Sequence, residues 1–134
     1  MTQVHGKTAG FLVGTADISA VSNEIQVKQS ADVADSTTFG NTGHTYLGGL
    51  TDGKVTVKGI YDNAATTGPR AAIQAHLGNV VACKYHPEGT GTGKPEDTFN
   101  AVVSAYEETA PVADIISWSA EFQISGGVTS GTQT

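Results

Sequence analysis

The chain has few charged residues, a single cysteine and no long apolar run. Charged residues make up 15% of its 134 positions, and thirteen acidic against seven basic residues give a formal net charge of −6. This balance excludes the basic footprint with which proteins grip nucleic-acid phosphates. The lone Cys83 excludes an internal disulfide framework. The first ten residues, MTQVHGKTAG, lack the apolar run of a signal or membrane segment, so we expect a soluble protein made in a cytoplasm, without membrane partners.

Glycine, in contrast, is abundant, with 17 residues, and hydrophobic residues make up 38% of the chain. Together with many small polar residues, this composition favours an all-β, loop-rich domain over a helical one. The length suits one domain with a single core, so we assign residues 1–134 to one unit. Within it we expect an N-terminal arm at 1–9, a long functional or disordered loop at 30–50 and a flexible or partner-dependent C-terminal tail at 126–134.

The segment SWSAEFQIS, residues 117–125, alternates without exception between two kinds of side chain. Successive side chains of a strand point to opposite faces, so this pattern predicts a long strand with one buried and one hydrated face. The residues that we predict for the core are Ile116, Trp118, Phe122 and Ile124. The hydrated face carries Ser117, Ser119, Glu121 and Gln123.

Other strand patterns are shorter or less regular. They lie at 10–13, 24–28, 80–86 and 98–107. Asp52 and Gly53 form a turn signal in front of a further alternating run, 54–61.

One helix signal follows this run. Thr67 can act as N-cap, Pro69 lies early in the first turn, and Gly78 ends the segment. Ile73 and Leu77 are four positions apart and share a helix face. The pattern predicts a short amphipathic helix that lies on a sheet.

No residue pattern points to catalysis. The segment GTGTGKPE, residues 89–96, is similar to a phosphate-binding loop, but Pro95 stands where Ser or Thr should bind a metal, so we interpret the segment as a hairpin loop. The four histidines lack ligand spacing, and Cys83 lies in an apolar strand pattern typical of a buried thiol. Paired carboxylates lie in turns or at strand ends, where they are normally solvated. We therefore expect no enzyme, no metal site and no cofactor.

Four short motifs, in this order and spacing, carry a resemblance to a known family. They are Thr37-Thr38-Phe39-Gly40, Gly49-Leu50, Gly59-Ile60-Tyr61-Asp62 and the terminal Gly126-Gly127-Val128-Thr129-Ser130-Gly131-Thr132. In these motifs the chain resembles the tail-tube (major tail) proteins of long, non-contractile-tailed bacteriophages, from about Asp17 onward.

The resemblance implies a β-sandwich or partly closed barrel with one short flanking helix. It also implies hexameric rings that stack into a hollow tube for genome delivery, with Thr37, Thr38, Phe39 and Tyr46 as inter-subunit candidates. The hydrated strand face would line the lumen, where Glu121 would repel phosphate and DNA would pass without sequence-specific binding. Further implied partners are the tape-measure protein and the tail terminator and tip proteins. The implied location is the virion tail, assembled in the host cytoplasm.

A second interpretation stays open on the sequence alone. The same β pattern is compatible with a non-enzymatic β-sandwich binding module or a head-decoration module, which would be monomeric or trimeric. The hydrated face of SWSAEFQIS would then be an ordinary solvent-facing surface, as half-buried antiparallel sheets commonly have.

Overall fold

The structure, a computed structural model, describes residues 6–14, 16–61 and 68–133. These residues form seven strands, namely β1 Gly10–Val13, β2 Ala16–Asp17, β3 Ser22–Asp35, β4 Tyr46–Ile60, β5 Val80–His86, β6 Pro95–Thr109 and β7 Ser117–Thr132. The helical segments among them are α1, Pro69–Ala72, and three 3₁₀ turns at Gly6–Thr8, Ser19–Val21 and Gln74–His76. The prediction of an all-β fold with one short helix is confirmed. No helix in the described part of the chain is long and apolar enough to cross a membrane.

All seven strands belong to one antiparallel sheet with the order β2-β1-β5-β6-β7-β4-β3. The sheet is strongly curled. Phe11 on β1 lies 5.4 Å from Phe122 on β7, ring centroid to ring centroid, although β5 and β6 separate these strands. Three flat strand spacings would place the two strands about 14 Å apart. The sheet therefore wraps around its own core as a partly closed barrel, with β2 and β3 as open edges.

The core lies on the concave side of this sheet. The apolar face of β7 supplies Trp118, Ala120, Phe122 and Ile124, all of them buried. The prediction that Ile116 belongs to the core is wrong, because this residue is 38% exposed. It precedes the first residue of β7, so the strand alternation does not extend to it. Its carbonyl instead accepts a hydrogen bond from the Tyr61 N–H at 2.9 Å.

The predicted turn at Asp52 and Gly53 is also wrong, because both residues lie inside β4 and pair with β3. Ladder partners override the local turn preference at this point. Glycine suits the close packing there, since a Cβ on Gly53 would lie 2.7 Å from Cδ1 of Ile124 and 3.2 Å from the Lys28 carbonyl oxygen.

The segment at 30–50 is mostly strand. β3 extends to Asp35 and β4 begins at Tyr46, so the connection between them spans only 36–45. The segment at 126–134 is similar: β7 continues to Thr132 and pairs with the start of β6. Both segments were predicted as irregular because small polar residues and glycine hide the strand pattern.

The helix is shorter than predicted. α1 has one turn, in which Pro69 is the first residue and Gly68 is the N-cap. The predicted cap, Thr67, lies outside the described residues, as do residues 1–5 of the predicted N-terminal arm. Ile73 is buried, whereas Leu77 is 51% exposed because a 3₁₀ turn, not an α-helix, separates the two.

Candidate assembly surfaces

A two-stranded arm extends from the sheet. β4 pairs with β7 only from Lys54 to Ile60, and the β3–β4 ladder continues to Asp35 and Tyr46. From 31 to 51 the two strands therefore pair only with each other, and we call these residues the arm. Its strand part from 46 to 51 spans about 20 Å at the usual rise per residue.

The arm exposes apolar side chains on both of its faces. The large ones are Val33, Phe39, Tyr46, Leu47 and Leu50. Val33 and Tyr46 continue the face on which Ile25 and Val27 pack against the core, but no part of the described chain covers them. Isolated hairpins are marginally stable, and contiguous exposed apolar residues mark interaction surfaces. The arm is therefore a candidate interaction surface.

Local hydrogen bonds order the tip of the arm. The Thr37 hydroxyl accepts from the Thr45 N–H at 2.9 Å, and the Ser36 N–H donates to the Thr45 carbonyl at 2.8 Å. Asp35 accepts from the Thr37 N–H at 2.8 Å, and hydrogen bonds from the Thr37 side chain and N–H hold the pKa of Asp35 below its ordinary value. Among the four inter-subunit candidates, Thr37 thus has an internal role. Phe39, at the apex, is fully exposed.

The hydrated side chains of β7 belong to a wider surface that we call the polar face. It consists of outward residues on three adjacent strands, namely Glu24, Gln26, Lys28 and Ser30 on β3, Asp52, Lys54, Thr56 and Lys58 on β4, and Ser117, Ser119, Glu121, Gln123 and Ser125 on β7. The structure thus brings all four lumen-facing candidates together on one surface. Ile60, opposite Ser117, marks its apolar border.

Charges on the polar face are balanced. Lys54 Nζ lies 3.0 Å from Glu121 Oε1, and Lys58 Nζ lies 3.9 Å from Glu24 Oε2. Gln123 Nε2 donates to Asp52 Oδ1 at 2.7 Å. The face holds three lysines and three acidic residues, so the other ten acidic and four basic residues carry the whole net charge of −6.

Gln133, just after β7, forms hydrogen bonds with the glycine-rich segment between β5 and β6. Sequence reasoning missed this contact. Gln133 accepts from the Gly91 N–H at 2.9 Å and donates through Nε2 to the Gly89 carbonyl at 2.8 Å. Its own N–H donates to the Lys94 carbonyl at 2.9 Å. The glycine-rich segment is thus a β5–β6 hairpin loop, as predicted, that holds the end of β7. The only sequence signal for this contact is the polar side chain of Gln133, which can both donate and accept hydrogen bonds.

An ionisable pair between the buried His86 and the partly exposed Glu96 supports the loop. His86 Nε2 lies 2.8 Å from Glu96 Oε2, and His86 Nδ1 lies 3.2 Å from the Thr90 hydroxyl. The hydrogen bond with His86 lowers the pKa of Glu96. This pair bridges β5, β6 and their connecting loop, which indicates a structural role.

The described residues contain no group of three or more His, Cys, Asp or Glu side chains that could hold a metal ion. Burial raises the pKa of the Cys83 thiol to about 12, which keeps it protonated and unreactive at neutral pH.

Comparison with protein-family models and with curated protein sequences finds no match. Solved structures do match, over nearly the whole chain. A chain of the native gene transfer agent virion has a TM-score of 0.79 at 13% identity, covering 97% of this chain and 100% of the other. A chain from the tail of the empty gene transfer agent particle, refined with C6 symmetry, gives 0.76 at 13% identity, covering 99% and 100%. The SPP1 tail tube gives 0.78 at 10% identity, covering 98% and 80%. The chain therefore has a phage tail-tube fold.

Proposed function

We propose that this protein is a structural subunit of a phage tail tube. In this proposal six copies form a ring, rings stack into a hollow tube, and the genome passes through it. The tail-tube fold over nearly the whole chain supports this, as does the C6 symmetry of one of the matching assemblies. The tube belongs to a virion tail, and the role of the subunit is structural and not enzymatic.

The observation that carries the proposal is the uncovered arm. Leu47, Leu50 and Val33 are each more than half exposed, on a ribbon that no other strand of the described chain supports. A monomeric binding module has no reason to keep such a ribbon bare, because it invites aggregation. A subunit that packs its arm onto the next copy buries these side chains at every contact.

The polar face supports the placement of the lumen. Its serines, threonine and amides bind water, and the opposite charges within each of its ion pairs cancel. The face therefore neither binds nor repels nucleic acid strongly. With this face inward, the arm and the acidic remainder of the surface meet neighbouring subunits and solvent. The tape-measure protein would fill the lumen before the genome does. Terminator and tip proteins would cap the tube in a long, non-contractile tail assembled in the host cytoplasm.

Electron microscopy of the purified protein, combined with light scattering over a concentration series, tests this function. Rings and hollow tubes that form with rising concentration are expected. Single particles of monomer or trimer mass at every concentration would contradict the proposal and favour the head-decoration or binding module.

A further inference from the structure

The polar face differs in charge from the rest of the molecule. It holds three of the seven basic residues of the chain but only three of the thirteen acidic ones. A polyanion is therefore repelled less by this face than by the acidic remainder of the surface.

Two lysines on this face occupy directly opposed positions. Lys28 on β3 is the register partner of Lys54 on β4. Like charges placed opposite each other destabilise a sheet, so the arrangement costs stability unless a partner uses it. Glu121 relieves Lys54 at 3.0 Å. For Lys28 there is no ion pair with any residue that the structure describes.

Hydrogen-bond donors surround the lysine pair. Two shallow grooves of about 210 Å³ each adjoin Lys28 and Lys54. Gln26 and Thr56 line one groove, and Gln123 lines the other. Lysine, hydroxyl and amide groups are the side chains that contact phosphate oxygens in protein complexes with nucleic acids. Asp52, which also lines the second groove, accepts hydrogen bonds through Oδ1 from Gln123 and the Gly53 N–H.

We propose that Lys28, beside the Lys54–Glu121 ion pair, contacts backbone phosphates of duplex nucleic acid that crosses the polar face. The inference rests on the proposed function, because a tube is what brings a genome to this surface. Six symmetric copies make a ring of such contacts, and stacked rings repeat it. Each contact is weak and independent of sequence, so the duplex is centred but still slides.

A titration of the purified, unassembled full-length subunit with a short DNA duplex, followed by amide NMR, tests this contact. The expected shifts centre on the backbone around Lys28 and Lys54. A tenfold increase in salt should weaken binding about eightfold, as one phosphate contact requires. In Lys28→Gln most of this salt dependence should disappear. Lys84→Gln, which removes a lysine from β5, is the matched control and should bind like the wild type.

Four outcomes would overturn the inference. Shifts centred elsewhere, or unchanged binding by Lys28→Gln, would remove Lys28 from the contact. Equal shifts with inorganic phosphate at the same phosphate concentration would indicate adventitious anion binding. Tighter binding of an acidic peptide at the same amides would assign the polar face to a protein partner. Each result is independent of tube formation, which microscopy of the same protein scores separately.

Discussion

Lys54 and Glu121 form an ion pair across β4 and β7, with 3.0 Å between Nζ and Oε1. Glu121 is the only charged residue of the SWSAEFQIS segment, and the resemblance gave it the role of repelling DNA from the tube wall. The pair changes that role. Lys54 cancels the carboxylate, so each subunit presents a neutral pair beside Lys28 and not an uncompensated negative charge.

Glu121→Gln should strengthen DNA binding, because it releases Lys54 as a second phosphate contact. The salt dependence should become steeper by about one contact, so that a tenfold rise in salt weakens binding by a further factor of about eight. The pair is nearly half exposed, so its loss should change the free energy of unfolding by less than about 1 kcal/mol. The duplex titration and a denaturant melt measure both effects. Glu88→Gln removes the same charge elsewhere, and an equal gain from it would show that only net charge matters.

Phe122→Ala should destabilise the subunit by about 3–5 kcal/mol, since it leaves a cavity in a small core. The Phe122 ring is fully buried and contacts Phe11, which closes the curled sheet. Denaturant unfolding of the monomer measures the loss. Phe39→Ala is the control, because Phe39 is fully exposed at the tip of the arm and should leave monomer stability unchanged. A Phe122→Ala protein as stable as the control would contradict the assigned core.

Replacement of the arm, 31–51, by a short turn should leave a folded subunit that forms no tubes. The arm strands pair only with each other, so their removal breaks no ladder of the remaining sheet. Circular dichroism and thermal unfolding check the fold, and electron microscopy checks assembly. Phe39→Ala should give an intermediate result, with tubes that form only at higher protein concentration. Tubes of normal length from the armless protein would refute the role of the arm.

Glu108 should make the free energy of unfolding depend on pH in the acidic range. Arg70 donates to both Glu108 oxygens at 2.9 Å, and this pair holds the pKa of Glu108 below its ordinary value of 4.5. A carboxyl with a lowered folded-state pKa stabilises the fold above its unfolded-state value, and this stabilisation is lost as the pH falls through the folded-state pKa.

The free energy of unfolding of wild type and Glu108→Gln should therefore differ by a constant amount near neutral pH. The difference should shrink below about pH 4.5. Glu107→Gln, on the adjacent outward position of β6, should show no such convergence. A difference between wild type and Glu108→Gln that stays constant down to pH 3 would contradict the assigned pair.

Sequence reasoning located strands that contribute apolar side chains to the core. The strands at 10–13, 80–86 and 117–125 and the buried face with Trp118 and Phe122 lie where the pattern placed them. The arm and the end of β7 were missed because their side chains are small, polar or uncovered, so no buried face imposes a pattern. The register between β3 and β4 could not be predicted from the sequence either. The opposition of Lys28 and Lys54 depends on bulges that no local signal marks.

Helical reconstruction of assembled protein by cryo-electron microscopy tests the central claim most directly. The account predicts a hollow tube of six-fold rings in which Ser119, Glu121 and Gln123 line the lumen and the arm contacts a neighbouring copy. A tube with this polar face turned outward, or protein that never assembles, would contradict it.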